Sequence, residues 1–233
     1  MKKSLLIYLV FLLPLRVNAQ LIYLPDTIVK RFFLMQQLTG SRYMDAGHKN
    51  SGMYFTDEWC PGNIWLTSGR KVNDLMLRYN GFTDDLVWMR QRVMQVTLDK
   101  NNIKAFDILM NGRDHYFEKR MITHEKDSAE TFCEVLHSGK VQLVAIRKTR
   151  LESESFKGYV PYYNYAPHPV YYLFIRGRTY FLKNCKLRTL YSTFPELEDK
   201  IRQRVHEQHI RRRKEANFIK AVIAIEDILA GGR

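Results

Sequence analysis

Three cysteines are all that this 233-residue chain carries, at positions 60, 133 and 185. No two of them have the two-residue spacing of a redox pair or a zinc ribbon. An odd count leaves at least one thiol outside any intramolecular disulfide, and which of Cys60, Cys133 and Cys185 would pair stays open. Cys133, inside Thr131-Phe132-Cys133-Glu134-Val135-Leu136, reads as a small apolar strand residue. Long apolar runs are also scarce. After the N-terminus the best candidate is 216–230, and Lys220, Glu226 and Asp227 interrupt it. A membrane-spanning helix needs ~20 apolar residues, so none is expected in the mature chain. Acidic residues are outnumbered, 24 against 37 basic ones, giving a formal charge of +13. Catalytic signatures are missing as well: there is no Gly-x-Ser-x-Gly, no phosphate loop and no dinucleotide fingerprint. Asp84-Asp85 belongs to the turn that begins at Asn80, and neither it nor Glu152/Glu154 has the look of a carboxylate pair facing across a cleft. His206-Glu207-Gln208-His209 sets two histidines one residue closer than His-Glu-x-x-His requires, and reads as a solvated helix face. The sequence therefore assigns no catalytic, cofactor-binding or metal residue, and no cofactor.

What is present starts at the first residues. Lys2 and Lys3, an apolar run over 5–15 and Val17-Asn18-Ala19 make a secretory signal peptide, with cleavage expected between Ala19 and Gln20. The run is too short to cross a bilayer, and Arg16 closes it. Gln20 stands where a lipid-anchored protein would have cysteine. The expected location is periplasmic or secreted. There, a basic chain meets lipid headgroups, lipopolysaccharide and acidic glycans rather than nucleic acid, so no nucleic-acid partner is expected.

From 63 to 186 the pattern is β. Leu75, Leu77 and Tyr79 alternate with polar neighbours, as do Met94, Val96 and Leu98, and then Phe106, Ile108 and Met110. Turn pairs recur at short intervals: Ser68-Gly69, Asn80-Gly81, Asn111-Gly112, Ser138-Gly139 and Arg176-Gly177. Asn80-Gly81 is the strongest hairpin signal, since both residues tolerate positive φ. With no helical period between the strands, the pattern is an antiparallel meander rather than βαβ. Segment 26–38 fits a helix or a strand, and 40–62 reads as loop.

The tail differs. Thr193-Phe194-Pro195-Glu196 resembles a capping box, and Leu197, Ile201 and Val205 follow at helical spacing. A second apolar stripe runs through Phe218, Val222, Ile225 and Leu229. Arg211, Arg212, Arg213 and Lys214 lie between the two, a basic joint able to meet an anionic surface. A charged helical end also argues against an outer-membrane barrel, whose last strand must close the sheet. Between Phe156 and Phe194 there is no acidic residue, yet there are six basic ones and many aromatics. Within it, 158–169 reads as a Pro- and Tyr-rich loop. Tyr162, Tyr163, Tyr165 and His168 are its candidate binding residues, because aromatic faces beside cations stack on sugars and similar groups.

Gly40-Ser41-Arg42-Tyr43-Met44, Trp59-Cys60-Pro61-Gly62, Leu77-Arg78-Tyr79-Asn80 with Asp84-Asp85-Leu86, and Tyr180-Phe181-Leu182 before a charged helix resemble a group of secreted β-rich hypothetical proteins of Gram-negative bacteria. The resemblance implies export and a β-rich fold. The group carries no assigned activity, so it transfers no functional residue.

The expected organisation is a signal peptide (1–19), an N-terminal segment (20–62), an antiparallel β domain (63–192) and a basic helical hairpin (193–233). The fold class expected is α+β: mainly an antiparallel β-meander, with a partial barrel as one way of curling it, then the C-terminal helical hairpin. The expected role is that of an exported, non-enzymatic cell-envelope protein binding a protein partner or an anionic envelope surface. An envelope glycan-acting enzyme with a dispersed site and a structural subunit of an envelope assembly are the alternatives.

Overall fold

A computed structural model describes residues 38–43, 49–124, 127–210 and 214–231. The export segment, segment 26–38 apart from Leu38, and Arg211, Arg212 and Arg213 lie outside the described residues. Within them, no helix is long and apolar enough to cross a membrane.

The chain is α+β. Its strands are β1 (Gly40–Arg42), β2 (Lys49–Ser51), β3 (Cys60–Leu66), β4 (Lys71–Asn80), β5 (Asp85–Arg90), β6 (Met94–Leu98), β7 (Ile103–Met110), β8 (Arg113–His124), β9 (Asp127–His137), β10 (Val141–Ile146), β11 (Thr149–Lys157), β12 (Val160–Pro167), β13 (Val170–Ile175) and β14 (Arg178–Leu182). Three helices follow: α1 (Leu187–Thr193), α2 (Glu198–Glu207) and α3 (Glu215–Gly231). Eleven strands form one sheet in the order β1-β6-β5-β4-β3-β7-β8-β9-β10-β13-β14, and β11-β12-β2 form a second. The large sheet is antiparallel throughout, as the meander pattern predicts. In the small one, β2 runs parallel to β12.

The large sheet folds over on itself without closing. Tyr79 on β4 and Phe132 on β9 are four strand positions apart, roughly 19 Å in a flat sheet at the usual spacing. Their rings lie 6.3 Å apart. Phe106 and Phe117 fill the space between, stacked at 4.7 Å, and with Tyr79, Leu75 and Leu77 they form the core of the curled half. The other half of the same face carries Leu143, Ala145, Tyr171 and Leu173, and these pack against Ile201, Phe218, Val222 and Ile225 of the helices. The stripes at helical spacing are thus the buried faces of α2 and α3. Cys133 is wholly buried in β9, in a third cluster with Val144, Ile146 and Tyr172 on the opposite face of the sheet.

Several local expectations are corrected. Asn80 and Gly81 do not make a two-residue turn. Asn80 pairs with Asp85 across a four-residue loop, where only Asp84 has positive φ (62°), and the Asn80 side chain accepts hydrogen bonds from the Phe82 and Thr83 amides at 2.9 and 3.2 Å. Gly81 is needed for close approach instead, since a Cβ there would lie 2.2 Å from the Arg147 carbonyl oxygen. The capping box also fails. Thr193 closes α1, its Oγ1 donating to the Thr189 carbonyl at 2.7 Å, and Pro195–Leu197 is a separate 3-10 turn. The 40–62 segment is not all loop, because it contributes β1, β2 and the start of β3. The three thiols are free, Cys60 and Cys133 buried and Cys185 half-buried.

Candidate functional site

The stretch read as a Tyr-rich loop is a strand. Residues of β12 pair along their whole length with β11, from Thr149 opposite Pro167 to Lys157 opposite Val160. The alternation that marks a strand is hidden in sequence because tyrosine occupies both faces of β12. Tyr163 and Tyr165 share one face, and Tyr162 lies on the other. All three tyrosines are half-buried, and His168 is exposed just beyond the strand. Tyr165 packs on Phe82 at 4.8 Å. Tyr163 is held above the ordinary phenol range by desolvation and by Glu154, its cross-strand neighbour. These residues therefore serve first to build the hairpin.

That hairpin, β11–β12, leaves the large sheet between β10 and β13 and forms an arm. Its most exposed apolar residues are at the tip, where Gly158 turns at φ 64°, and Leu151 nearer the root is exposed as well. Tyr159 is fully exposed, Phe156 is 65% exposed and Val160 is 40% exposed. Phe156 and Tyr159 belong to the acid-free segment but were not among the expected binding residues. The signal available was the Gly158 turn, which sets its neighbours at a hairpin end.

Of the basic joint, only Lys214 is described. It is exposed, and its carbonyl starts α3 by accepting from the Asn217 and Phe218 amides at 2.9 and 3.1 Å. Glu215 follows it and is a partner that the sequence pattern did not single out. Both Glu215 oxygens accept from the Arg147 guanidinium, at 2.7 and 2.8 Å, and Tyr171 donates to Oε1 at 2.8 Å. Arg147 Nε also bonds Glu134, whose other oxygen meets His115 Nδ1 at 2.6 Å. Glu134 is only 2% exposed, so this chain of charges runs through the interior, between the two apolar cores. Phe55 covers it, edge-on to His115 at 5.2 Å and 5.6 Å beneath Arg147.

The electrostatics follow from these contacts. Burial penalises the Arg147 charge, but Glu215 and Glu134 outweigh it and raise its pKa above the usual arginine range. Burial likewise opposes the Glu215 carboxylate, and the Arg147 bonds and charge overcome it, so its pKa falls. Tyr171 is raised by burial and by Glu215. The network is an ion-pair lock that fastens the first turn of α3 to β8, β9 and β13. Since Arg147 lies two residues before β11, the lock also sets the end of the basic joint at the root of the arm. Two features far apart in sequence are thereby brought together.

A second clamp joins α3 to the β9–β10 turn. Glu226 Oε2 meets His137 Nε2 at 2.7 Å and Oε1 accepts from the Lys140 amide at 2.8 Å. These bonds, His137 first, hold the Glu226 carboxyl below its ordinary range. His206 lies in the last turn of α2 and His209 in the turn that follows it, both exposed. Among the described residues no three of His, Cys, Asp and Glu converge as metal ligands. No family model, no curated protein and no solved structure matches the chain.

Proposed function

We propose that this chain is an exported, non-enzymatic protein of the cell envelope that binds a protein partner through the tip of the β11–β12 arm. The exposed aromatic tip carries this reading. Apolar side chains held at the end of a hairpin, away from either core, are what a partner pocket would bury, and aromatics are the residues that most often dominate such contacts. The arm itself is charge-balanced, Arg150 and Lys157 against Glu152 and Glu154, which favours a protein pocket over an anionic surface. Export rests on the N-terminal pattern of 1–19 and on the resemblance to secreted proteins.

The test places a photo-crosslinking amino acid at position 159 in the producing cell, with exposed Val93 as the control position. The expected result is one discrete adduct from position 159, absent from 93 and lost when Phe156→Ser is added, on a protein whose intact mass begins at Gln20. Equal labelling from both positions would overturn the arm as the contact. A cytosolic protein that retains Met1 would overturn export. If the basic joint governed binding instead, neutralising Lys214 and its three preceding arginines would abolish the adduct while Phe156→Ser left it intact.

A further inference from the structure

The acid-free segment reaches a second feature, remote from the arm tip in sequence. β13 and β14 are joined by Arg176 and Gly177, both at positive φ (49° and 76°), so that Ile175 pairs directly with Arg178. This tight turn sets two arginines beside one another at the edge of the helix-covered face. A cleft of about 400 Å³ opens there, between the turn, the Pro195–Leu197 bend and the last turns of α3. Ile175, Phe194, Leu197 and Leu229 supply the apolar part of its lining, and close to half of the exposed lining is polar. Tyr180 adds an aromatic wall, its ring 5.1 Å from Phe194.

The charges are what make the cleft informative. Among the described residues neither Arg176 nor Arg178 has a carboxylate within ion-pair distance, whereas Arg120, Arg147, Arg202 and Arg204 each do. Glu196 lines the same cleft and is not bonded to them. A segment without Asp or Glu offers the two guanidiniums no local partner, so they remain available at the rim. A volume of this size, with an apolar wall on one side and polar groups on the other, can hold the two ends of a small amphipathic molecule. Arginine pairs recognise carboxylates and phosphates through their forked N–H groups.

We infer that this cleft binds a small amphipathic monoanion, a carboxylate with an aliphatic body, its head on Arg176 and Arg178 and its body against Phe194, Leu197 and Leu229. The site is independent of the arm and of the partner proposed for it. Glu196 disfavours ligands with more than one negative charge, since a second anionic group would face its carboxylate.

Calorimetric titration of the mature protein with decanoate, kept below its micellar concentration, tests the inference. The expected result is saturable one-to-one binding, weakened at least tenfold by R176Q/R178Q and by Leu229→Asp but unchanged by Phe156→Ser. Both arginines are exposed, so the double variant should keep the wild-type melting temperature. Decanol, which lacks the charge, and inorganic phosphate, which lacks the apolar body, should each bind at least tenfold more weakly. Absence of saturable decanoate binding would overturn the inference, as would affinity indifferent to R176Q/R178Q. Phosphatidylglycerol vesicles separate a free amphiphile from a bilayer lipid. Arginine-dependent vesicle binding without decanoate binding would assign the cleft to the membrane surface and overturn the free-ligand reading.

Discussion

Burial decides the chemistry of the individual side chains. Cys133 has no solvent exposure, and burial first, with Asp84 and Glu118 nearby, drives its thiol up to about 12 despite the opposing charge of Arg120. Cys60 is also raised, by burial and by Glu58. A thiolate is the reactive form, so at pH 8 Cys133 should label with a disulfide reagent roughly a thousandfold more slowly than an unperturbed cysteine. Cys185 should react first, and timed labelling with peptide mapping reads the order. Labelling of Cys133 together with Cys185 in the folded protein would show that β9 is open. The reading of Cys133 as an apolar strand residue came from its neighbours alone and holds. The role of Glu215 was not visible in the same way, because its partners Arg147 and Tyr171 are 68 and 44 residues away.

At the level of elements, hairpins are set by different devices that look alike in sequence. Asn111 and Gly112 both adopt positive φ (52° and 72°) in a two-residue turn, with open space where a glycine side chain would be. Gly81 has ordinary φ and no space. Gly112→Ala should therefore destabilise by about 1 kcal/mol through backbone strain alone. Gly81→Ala must displace the Arg147 backbone and should reach the upper part of the range of about 1–3 kcal/mol known for overpacking. Urea unfolding of the two variants side by side checks the order, and equal losses would mean that the 81–84 loop does not bear on β11. Most strands were legible because one face of each is apolar, and β12 was not because both of its faces carry tyrosine. Helix α1 could have been found from Leu187, Leu190 and Tyr191 at helical spacing, all buried. It lacks a side-chain cap, which is the signal that most often betrays a helix start.

For the whole molecule, the two halves share one sheet face but not one core, and the Arg147 network spans the seam. Glu215→Gln leaves Arg147 half-paired and should cost about 2 kcal/mol, less than the loss expected at a wholly buried pair because Glu215 keeps some exposure. The folded pKa of Glu215 lies below its unfolded value, near ~4.3. Its contribution is thus complete above that pH and is lost as pH falls through the folded pKa. Denaturant midpoints of wild type and variant should differ at pH 7 and converge only as the pH falls through the lowered folded pKa, and a gap that persists in stronger acid would assign the loss to packing. The parallel pairing of β2 with β12 has a kinetic meaning. Residues 49–51 must wait for a partner more than a hundred positions later, while among β3 to β10 the longest-range pairing, β3 with β7, links residues no further apart than Gly62 and Ile108. A chain made N-terminus first would assemble its curled half early and seat β2 only after residue 164 has been made, so β2 waits through most of the large sheet for its partner, and only β13, β14 and the helices come later.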